Sequence, residues 1–306
     1  ATEPLELETL SYDEAFERFI ADAERRGLRP DTITYYKQKL SLFRRWLVRY
    51  DKVDFISKVL RPDIDSYVEY LQHERGLRNG SINTHIRAIR ALFGFLHESK
   101  YIRNNPMKEY PLLNVRAGNI ETFTLSQLRQ LLNAPDRRTF TGLRDYTYML
   151  LLLETGIRLS ESAAILVEDV KLSEGQIFVR HTKGHMHRYV PIQAKMKEQL
   201  RRYLRIRGTC ETNHLFVTID GTAMSRFSLQ KIVPKYGRQA GIKGVRCSPH
   251  TLRHTFAKLS VMNGAGVFEL QRILGHSTME MVKTYVNLYS SDLFERHKEF
   301  SPLRDL

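Results

Sequence analysis

The sequence predicts a mainly α-helical chain in two parts, with a small antiparallel β-sheet in the second. Three observations carry this. Apolar residues recur at helical spacing from residue 11 to residue 96, behind recognisable caps. Residues 104–119 gather helix breakers and few charges. Beyond them, two short alternating runs flank a glycine turn among further helical segments.

In chain order, Ser11-x-x-Glu14 is a capping box ahead of Ala15, Phe16, Phe19 and Ile20. Pro30-Asp31-Thr32 opens a second helix that buries Leu40, Phe43, Trp46 and Leu47. Pro62 suits the start of a third, with Ile64, Tyr67, Val68 and Leu71. Gly76 and Gly80 bracket a turn, and Ser81 is expected to cap a fourth helix carrying Ile82, Ile86, Ile89, Leu92, Phe93 and Leu96. Asn104-Asn105-Pro106, Pro111 and Gly118 then break the pattern. Thr124-x-x-Gln127 caps the next helix, and Arg144 to Glu154 reads as a buried one. Residues 176–180 and 187–192 read as strands around a turn at Lys183-Gly184, with a third strand expected at Leu215-Phe216-Val217. Helices return from Ser225. The expected division is a helical domain at 1–105, a linker at 106–119, a second domain at 120–289 and a tail at 290–306.

The chain has 306 residues, 42% of them hydrophobic, enough for two cores. Its net charge of +14 favours a polyanionic partner. Residues 1–120 hold 20 Lys and Arg against 17 Asp and Glu, a net +3; residues 121–306 hold 28 against 17, a net +11. The excess therefore sits mainly in the second part, although basic surfaces also occur simply as solvated faces. Cys210 and Cys247 are the two cysteines and form no Cys-x-x-Cys pattern, which argues against a disulfide framework or zinc-thiolate site and for a reducing cytoplasm. The longest apolar run, Tyr148 to Leu153, is too short to span a membrane. Glu3, Glu6 and Glu8 replace the basic, apolar start of a secretion signal.

The densest chemistry lies in 36 residues: His250-Thr251-Leu252-Arg253-His254-Thr255, then Leu274-Gly275-His276-Ser277, then Tyr285. Cleaving a phosphodiester without a metal needs fixed cations for the charge that builds on two oxygens. It needs a nucleophile in line, and a proton for the leaving 5′ oxygen. Arginine suits the first task because its charge is permanent and its fork binds two oxygens.

Ser248-Pro249-His250 reads as N-cap, N1 and N2 of a helix, which puts His250, Arg253 and His254 on one face. Arg158 lies at a helix junction behind Gly156, with Glu161 three residues on to hold it; a plain surface pair is the alternative. Lys183 sits at the hairpin tip, where a lysine can reach a leaving oxygen or simply stay solvated. Ser277-x-x-Glu280 caps the helix bearing Tyr285, which Val282 and Val286 also suit to a core position. No metal is expected. The His250/His254 pair lacks the glutamate of His-Glu-x-x-His, and alternation scatters His181, His185 and His187. In the first part, Lys37, Lys39, Asn83, Arg87 and Arg90 flank the apolar stripes and are candidate phosphate contacts.

Together, Thr155-Gly156-Ile157-Arg158-Leu159-Ser160-Glu161, Lys183, His250-x-x-Arg253-His254, Leu274-Gly275-His276-Ser277 and Tyr285 resemble the tyrosine recombinase, or phage integrase, family. The resemblance spans residues 8–290. It implies a SAM-like core-binding domain followed by the recombinase catalytic domain. It implies that Tyr285 attacks the scissile phosphate, giving a 3′-phosphotyrosine and a free 5′-hydroxyl. Arg158, Arg253 and His276 would stabilise the transition state, Lys183 would protonate the leaving oxygen, and His250 would be acid and base toward Tyr285. Glu161 would support Arg158, and His254 would be structural. No metal, ATP or other cofactor is implied. The implied partners are double-stranded DNA with an inverted-repeat site, three further copies in a tetramer that passes through a Holliday junction, and an accessory protein. The tail would dock on a neighbouring protomer. About ten residues precede Ser11, so the simpler two-domain kind is expected, Xer-like or from a mobile element. A type IB topoisomerase shares the chemistry, and a silent DNA-binding regulator is a further alternative; the helical first domain and the long tail after Tyr285 argue against the topoisomerase, and the full catalytic set argues against the regulator.

Overall fold

In the computed structural model, Ser11 caps the first helix as its spacing predicts: its Oγ accepts from the Glu14 N–H at 3.2 Å while Glu14 reaches back to the Ser11 N–H at 3.0 Å. The structure describes residues 10–50, 55–115, 120–180, 187–275 and 285. They fall into two units, 1–118 and 119–306.

The first unit is helical: α1 (Tyr12–Arg25), α2 (Pro30–Arg49), α3 (Arg61–Glu69), which runs into a π-helical turn at Tyr70–Glu74, and α4 (Asn79–Glu98). Its core packs Leu40, Phe43, Trp46 and Tyr67 against Ile82, Ile86, Ile89, Leu92 and Phe93. The Tyr67 ring lies 4.9 Å from Phe43 and 5.3 Å from Trp46, centroid to centroid. Helix α4 starts three residues earlier than expected, with Arg78 at the N-cap position and Ser81 inside the first turn.

Among the described residues of this unit, Asn83 and His85 are buried polar side chains. His85 lies between the Tyr67 hydroxyl, 3.0 Å from Nδ1, and the Lys39 ammonium, 3.3 Å from Nε2. An ammonium only donates, so Nε2 accepts and Nδ1–H donates to Tyr67. Burial first, and the Lys39 charge second, lower the imidazole pKa to about 4, which keeps it neutral. Asn83 was expected on the exposed flank of α4. It is buried instead, and its amide clamps Leu113 in both directions, donating to the carbonyl at 2.9 Å and accepting from the N–H at 2.8 Å. Arg90, also expected to be outward, donates to the Tyr110 carbonyl. The breaker-rich stretch is therefore tied in part to α4, with Ile102, Met107 and Tyr110 in the core. Proline and glycine stop helices, but they do not stop a chain from packing.

The second unit holds α5 (Leu125–Asn133), α6 (Phe140–Thr155), α7 (Leu159–Ala163), α8 (Ala194–Arg207), α9 (Arg226–Gln230), α10 (Ile232–Gln239), α11 (Pro249–Met262) and α12 (Val267–Leu274). The Thr124/Gln127 capping box forms as its spacing predicts. Helix α6 begins at Phe140, before the expected Arg144, because Thr139 Oγ1 accepts from the Gly142 N–H. It is buried on nearly every side and packs against α8 and α11.

The sheet has three antiparallel strands in the order β1 (Val170–Lys171), β2 (Gln176–Val179), β3 (Arg188–Pro191). Ile177 pairs with Val190 and Val179 with Arg188. Ile177, Val179 and Val190 point into the core, as period-two alternation requires. The third strand is not at Leu215–Val217. That segment is buried but forms only lone bridges among the described residues, Leu166 to His214 and Val217 to Ala223. Its apolar run reflects burial rather than a ladder. No helix among the described residues is long and apolar enough to cross a membrane.

Candidate active site

Helix α6 ends at Gly156, whose φ of 58° and ψ of 18° are left-handed. A Cβ there would lie 2.3 Å from the Phe256 ring, so both conformation and space call for glycine. The turn sends the chain directly into α7, with Arg158 at the cap position and Glu161 one turn on. Glu161 is buried at 2% exposure. It accepts from the Arg158 N–H at 2.8 Å and from Arg158 Nη1 at 2.9 Å. The Arg158 side chain keeps 31% exposure, so its guanidinium remains open on one side.

Helix α11 is built as the sequence predicts. Ser248 caps it by accepting from the Thr251 N–H at 3.2 Å, Pro249 occupies N1 and His250 follows. One turn further, Arg253 is buried. It donates to the Gly156 carbonyl and, through Nη2, to the Leu274 carbonyl at 2.9 Å. Arg158 Nη2 donates to the next carbonyl, Gly275, at 3.0 Å. Two arginines nearly a hundred residues apart in sequence are thus anchored on adjacent carbonyls at the end of α12. The last carbonyls of a helix lack intrahelical partners and carry the negative end of its dipole, which suits them to cations.

Tyr285 is 1% exposed and packs with Ala257, Val261, Leu270 and Leu274. Its hydroxyl lies 2.5 Å from His254 Nδ1. The imidazole in hydrogen-bonding contact with Tyr285 is that of His254, which was expected to be structural. One residue of helix register separates it from Arg253 and turns it toward the Tyr285 pocket.

The electrostatics are those of a cationic pocket. Burial first, then the Arg158 charge, lower the Arg253 pKa to about 9, still charged at neutral pH. His250 is held below the ordinary imidazole value by partial burial, then by Arg253, Arg246, Arg226 and Arg158. His254 is lowered by burial, then by His250 and Arg253. Both imidazoles are therefore neutral at pH 7. An anion placed among these groups relieves the repulsion that adds to burial in depressing them.

The pocket brings together Arg158, Glu161, His250, Arg253 and Tyr285. Lys183, His276 and the tail at 290–306 lie outside the described residues. In the other unit, Lys37 and Arg87 are exposed, Lys37 at 3.7 Å from Glu24, and Lys39 is half-buried on His85. Sequence reasoning missed Arg188. Its Nη1 and Nη2 grip Glu161 at 3.0 and 2.9 Å, and its Nε donates to the Ile273 carbonyl at 2.7 Å. It also missed Arg226 and Arg246, whose charges bear on His250. A cluster of three or more His, Cys, Asp or Glu side chains able to hold a metal does not occur among the described residues.

Family comparisons agree with this geometry. Residues 121–291 match the phage integrase family, and residues 16–102 match the phage integrase N-terminal SAM-like domain. The chain is 30% identical over 284 residues to the tyrosine recombinase XerD of Staphylococcus saprophyticus, covering 90% of this chain and 94% of that protein. It is 30% identical over 237 residues to the tyrosine recombinase XerC of Thermodesulfovibrio yellowstonii, covering 75% and 78%. Its fold resembles that of a lambda integrase in the structure of a dimer bound to a COC' core site, with a TM-score of 0.77 at 17% identity, covering 92% of this chain and 78% of that one. The chain belongs to the phage integrase family, as a tyrosine recombinase that catalyses site-specific recombination.

Proposed function

We propose that this chain breaks and rejoins DNA strands at a specific site, with Tyr285 as nucleophile and Arg158 and Arg253 as the phosphate clamp. The observation that carries this reading is the anchoring of both arginines on adjacent carbonyls of Leu274 and Gly275, with Tyr285 packed on the same helix end.

Tyr285 Oη attacks the scissile phosphorus and loses its proton to His250, which is neutral and so able to accept it. The P–O5′ bond breaks, and its electron pair leaves on the 5′ oxygen, which takes a proton from Lys183. The products are a 3′-phosphotyrosine and a free 5′-hydroxyl. Arg158, Arg253 and His276 hold the charge that builds on the non-bridging oxygens. Attack by the 5′-hydroxyl of a partner strand reverses the steps and returns the tyrosine. The phosphotyrosine conserves the bond energy, so neither metal nor ATP enters. Tyr285 is too buried to meet a phosphate, so DNA binding must draw it from His254 and its apolar pocket.

The helical domain at 1–105 is proposed to grip DNA with Lys37, Lys39 and Arg87, beyond which 106–119 leads to the catalytic domain at 120–289. Asn83 and Arg90 serve the helical domain from within. The working assembly is a tetramer on an inverted-repeat site, with residues 290–306 docked on a neighbour, an accessory protein setting direction, and the cytoplasm as its compartment. A supercoiled plasmid carrying two copies of the site tests the reading. The expected outcome is recombinant circles with the parent chain and none with Tyr285→Phe. Relaxed circles without exchanged ends would point to a topoisomerase instead.

A further inference from the structure

Three consecutive carbonyls at the end of α12 each take a different arginine: Ile273 from Arg188 at 2.7 Å, Leu274 from Arg253 at 2.9 Å and Gly275 from Arg158 at 3.0 Å. Two of these arginines form the proposed phosphate clamp. The third has no part in it, yet all three of its nitrogens are engaged. Nη1 and Nη2 hold the two oxygens of Glu161, Nε holds the Ile273 carbonyl, and 13% of the side chain is exposed. Its hydrogen bonds run to Glu161 and to the end of α12, and through them it acts on the clamp.

Its effect falls on Glu161. Burial pushes that carboxyl up. The hydrogen bonds and charge of Arg188, then the N–H and charge of Arg158, outweigh burial and hold it below the ordinary range. Glu161 is therefore ionised. Paired with Arg158 alone, an ionised Glu161 would cancel the charge that Arg158 offers to a phosphate. With Arg188 on its other side, the triad carries a net positive charge, and Arg158 presents it to the opening. Gly275 makes room for the arrangement. A Cβ there would lie 2.6 Å from Arg188 Nη1, and its φ of 62° is left-handed.

We propose that Arg188 is a positioning residue for recombination: from the start of β3 it braces Glu161 against the end of α12, and so fixes both the direction and the charge of Arg158. This rests on the phosphate-clamp reading of Arg158.

The test uses the full-length chain and a nicked duplex carrying the sequence that the parent protein selects from a randomised pool. A second duplex carries a neutral methylphosphonate at the scissile position, which needs one cation fewer. Arg188→Met is expected to slow single-turnover cleavage of the ordinary duplex by about 100-fold, on the scale of losing one oriented donor. Its DNA dissociation constant should change by less than about threefold. The methylphosphonate should shrink the deficits of both Arg188→Met and Arg158→Met by about tenfold or more. Arg188→Lys, which restores charge without the fork, should recover less than about tenfold.

Cleavage by Arg188→Met within about threefold of the parent overturns the proposal. So does a deficit of equal size on both duplexes, which marks a role in folding alone. If Arg188→Met melts early, Glu161→Gln/Arg188→Met removes the unpaired carboxylate. It should melt like the parent and still cleave slowly, and parental cleavage by it overturns the proposal. Adduct formation by Tyr285→Phe would instead refute the nucleophile assignment and leave the bracing argument standing.

Discussion

The two units bury polar groups to different ends. In the first, His85 is neutral between Tyr67 and Lys39, and the Asn83 amide is closed on Leu113. Donor meets acceptor, and the network serves only to hold helices and the 110–113 stretch together. In the second, three guanidinium groups meet at one helix end, with the Glu161 carboxylate between two of them. Positive charge is left over, and Arg158 keeps an open side. The contrast is physical: a closed network stabilises the fold, whereas a fixed excess of one charge, held by backbone carbonyls, is a site waiting for its counter-charge.

The largest expected effect breaks the open network. Arg158→Ala should lower single-turnover strand cleavage by about 10²–10³-fold while the chain stays folded and DNA affinity changes far less. A loss below tenfold would place the clamp elsewhere. The next effect concerns the closed network. The His85 pKa is lowered to about 4 in the fold from an ordinary 6.5. Between those values the unfolded chain binds a proton that the folded chain refuses, so stability is full above pH 6.5 and falls as pH drops toward 4. The loss from this group is on the order of 3 kcal/mol. Trp46, the single tryptophan of the chain, packs on Tyr67 beside His85, so its fluorescence in denaturant titrations reads this unit. His85→Gln should flatten the slope, and an unchanged slope would contradict the assignment.

Smaller still, Asn83→Ala leaves the Leu113 N–H and carbonyl without their partner and should cost about 1–3 kcal/mol by the same fluorescence. A loss below about 0.5 kcal/mol would mean that the clamp is incidental. The smallest effect concerns the stored nucleophile. His254→Ala removes one hydrogen bond from the Tyr285 hydroxyl, worth about 1 kcal/mol, and should speed covalent adduct formation by up to about fivefold. A tenfold slowing would make His254 part of the chemistry.

Much of this was legible in the residues because it is local. The Ser11/Glu14 and Thr124/Gln127 boxes, the Ser248-Pro249 helix start and the Gly156 stop each lie within one turn of what they organise. What stayed hidden depends on distant partners. Arg188 reads as one more strand residue until Glu161, 27 positions away, and Ile273, 85 positions away, meet on it. Asn83 reads as polar and exposed until Leu113 folds back 30 positions later. The Leu215–Val217 run misled for the converse reason, since a buried loop beside α8 needs the same apolar residues as a strand. Of the two neighbouring imidazoles, spacing alone did not say which one Tyr285 meets.

The central claim is that Tyr285 becomes covalently joined to DNA. The direct measurement traps the protein on a nicked duplex, digests the adduct and identifies the nucleotide-bearing peptide by mass. The account predicts a 3′-phosphonucleotide on Tyr285, and no adduct from Tyr285→Phe although that variant still binds DNA. A nucleotide on any other residue, or an adduct that survives the substitution, would contradict it.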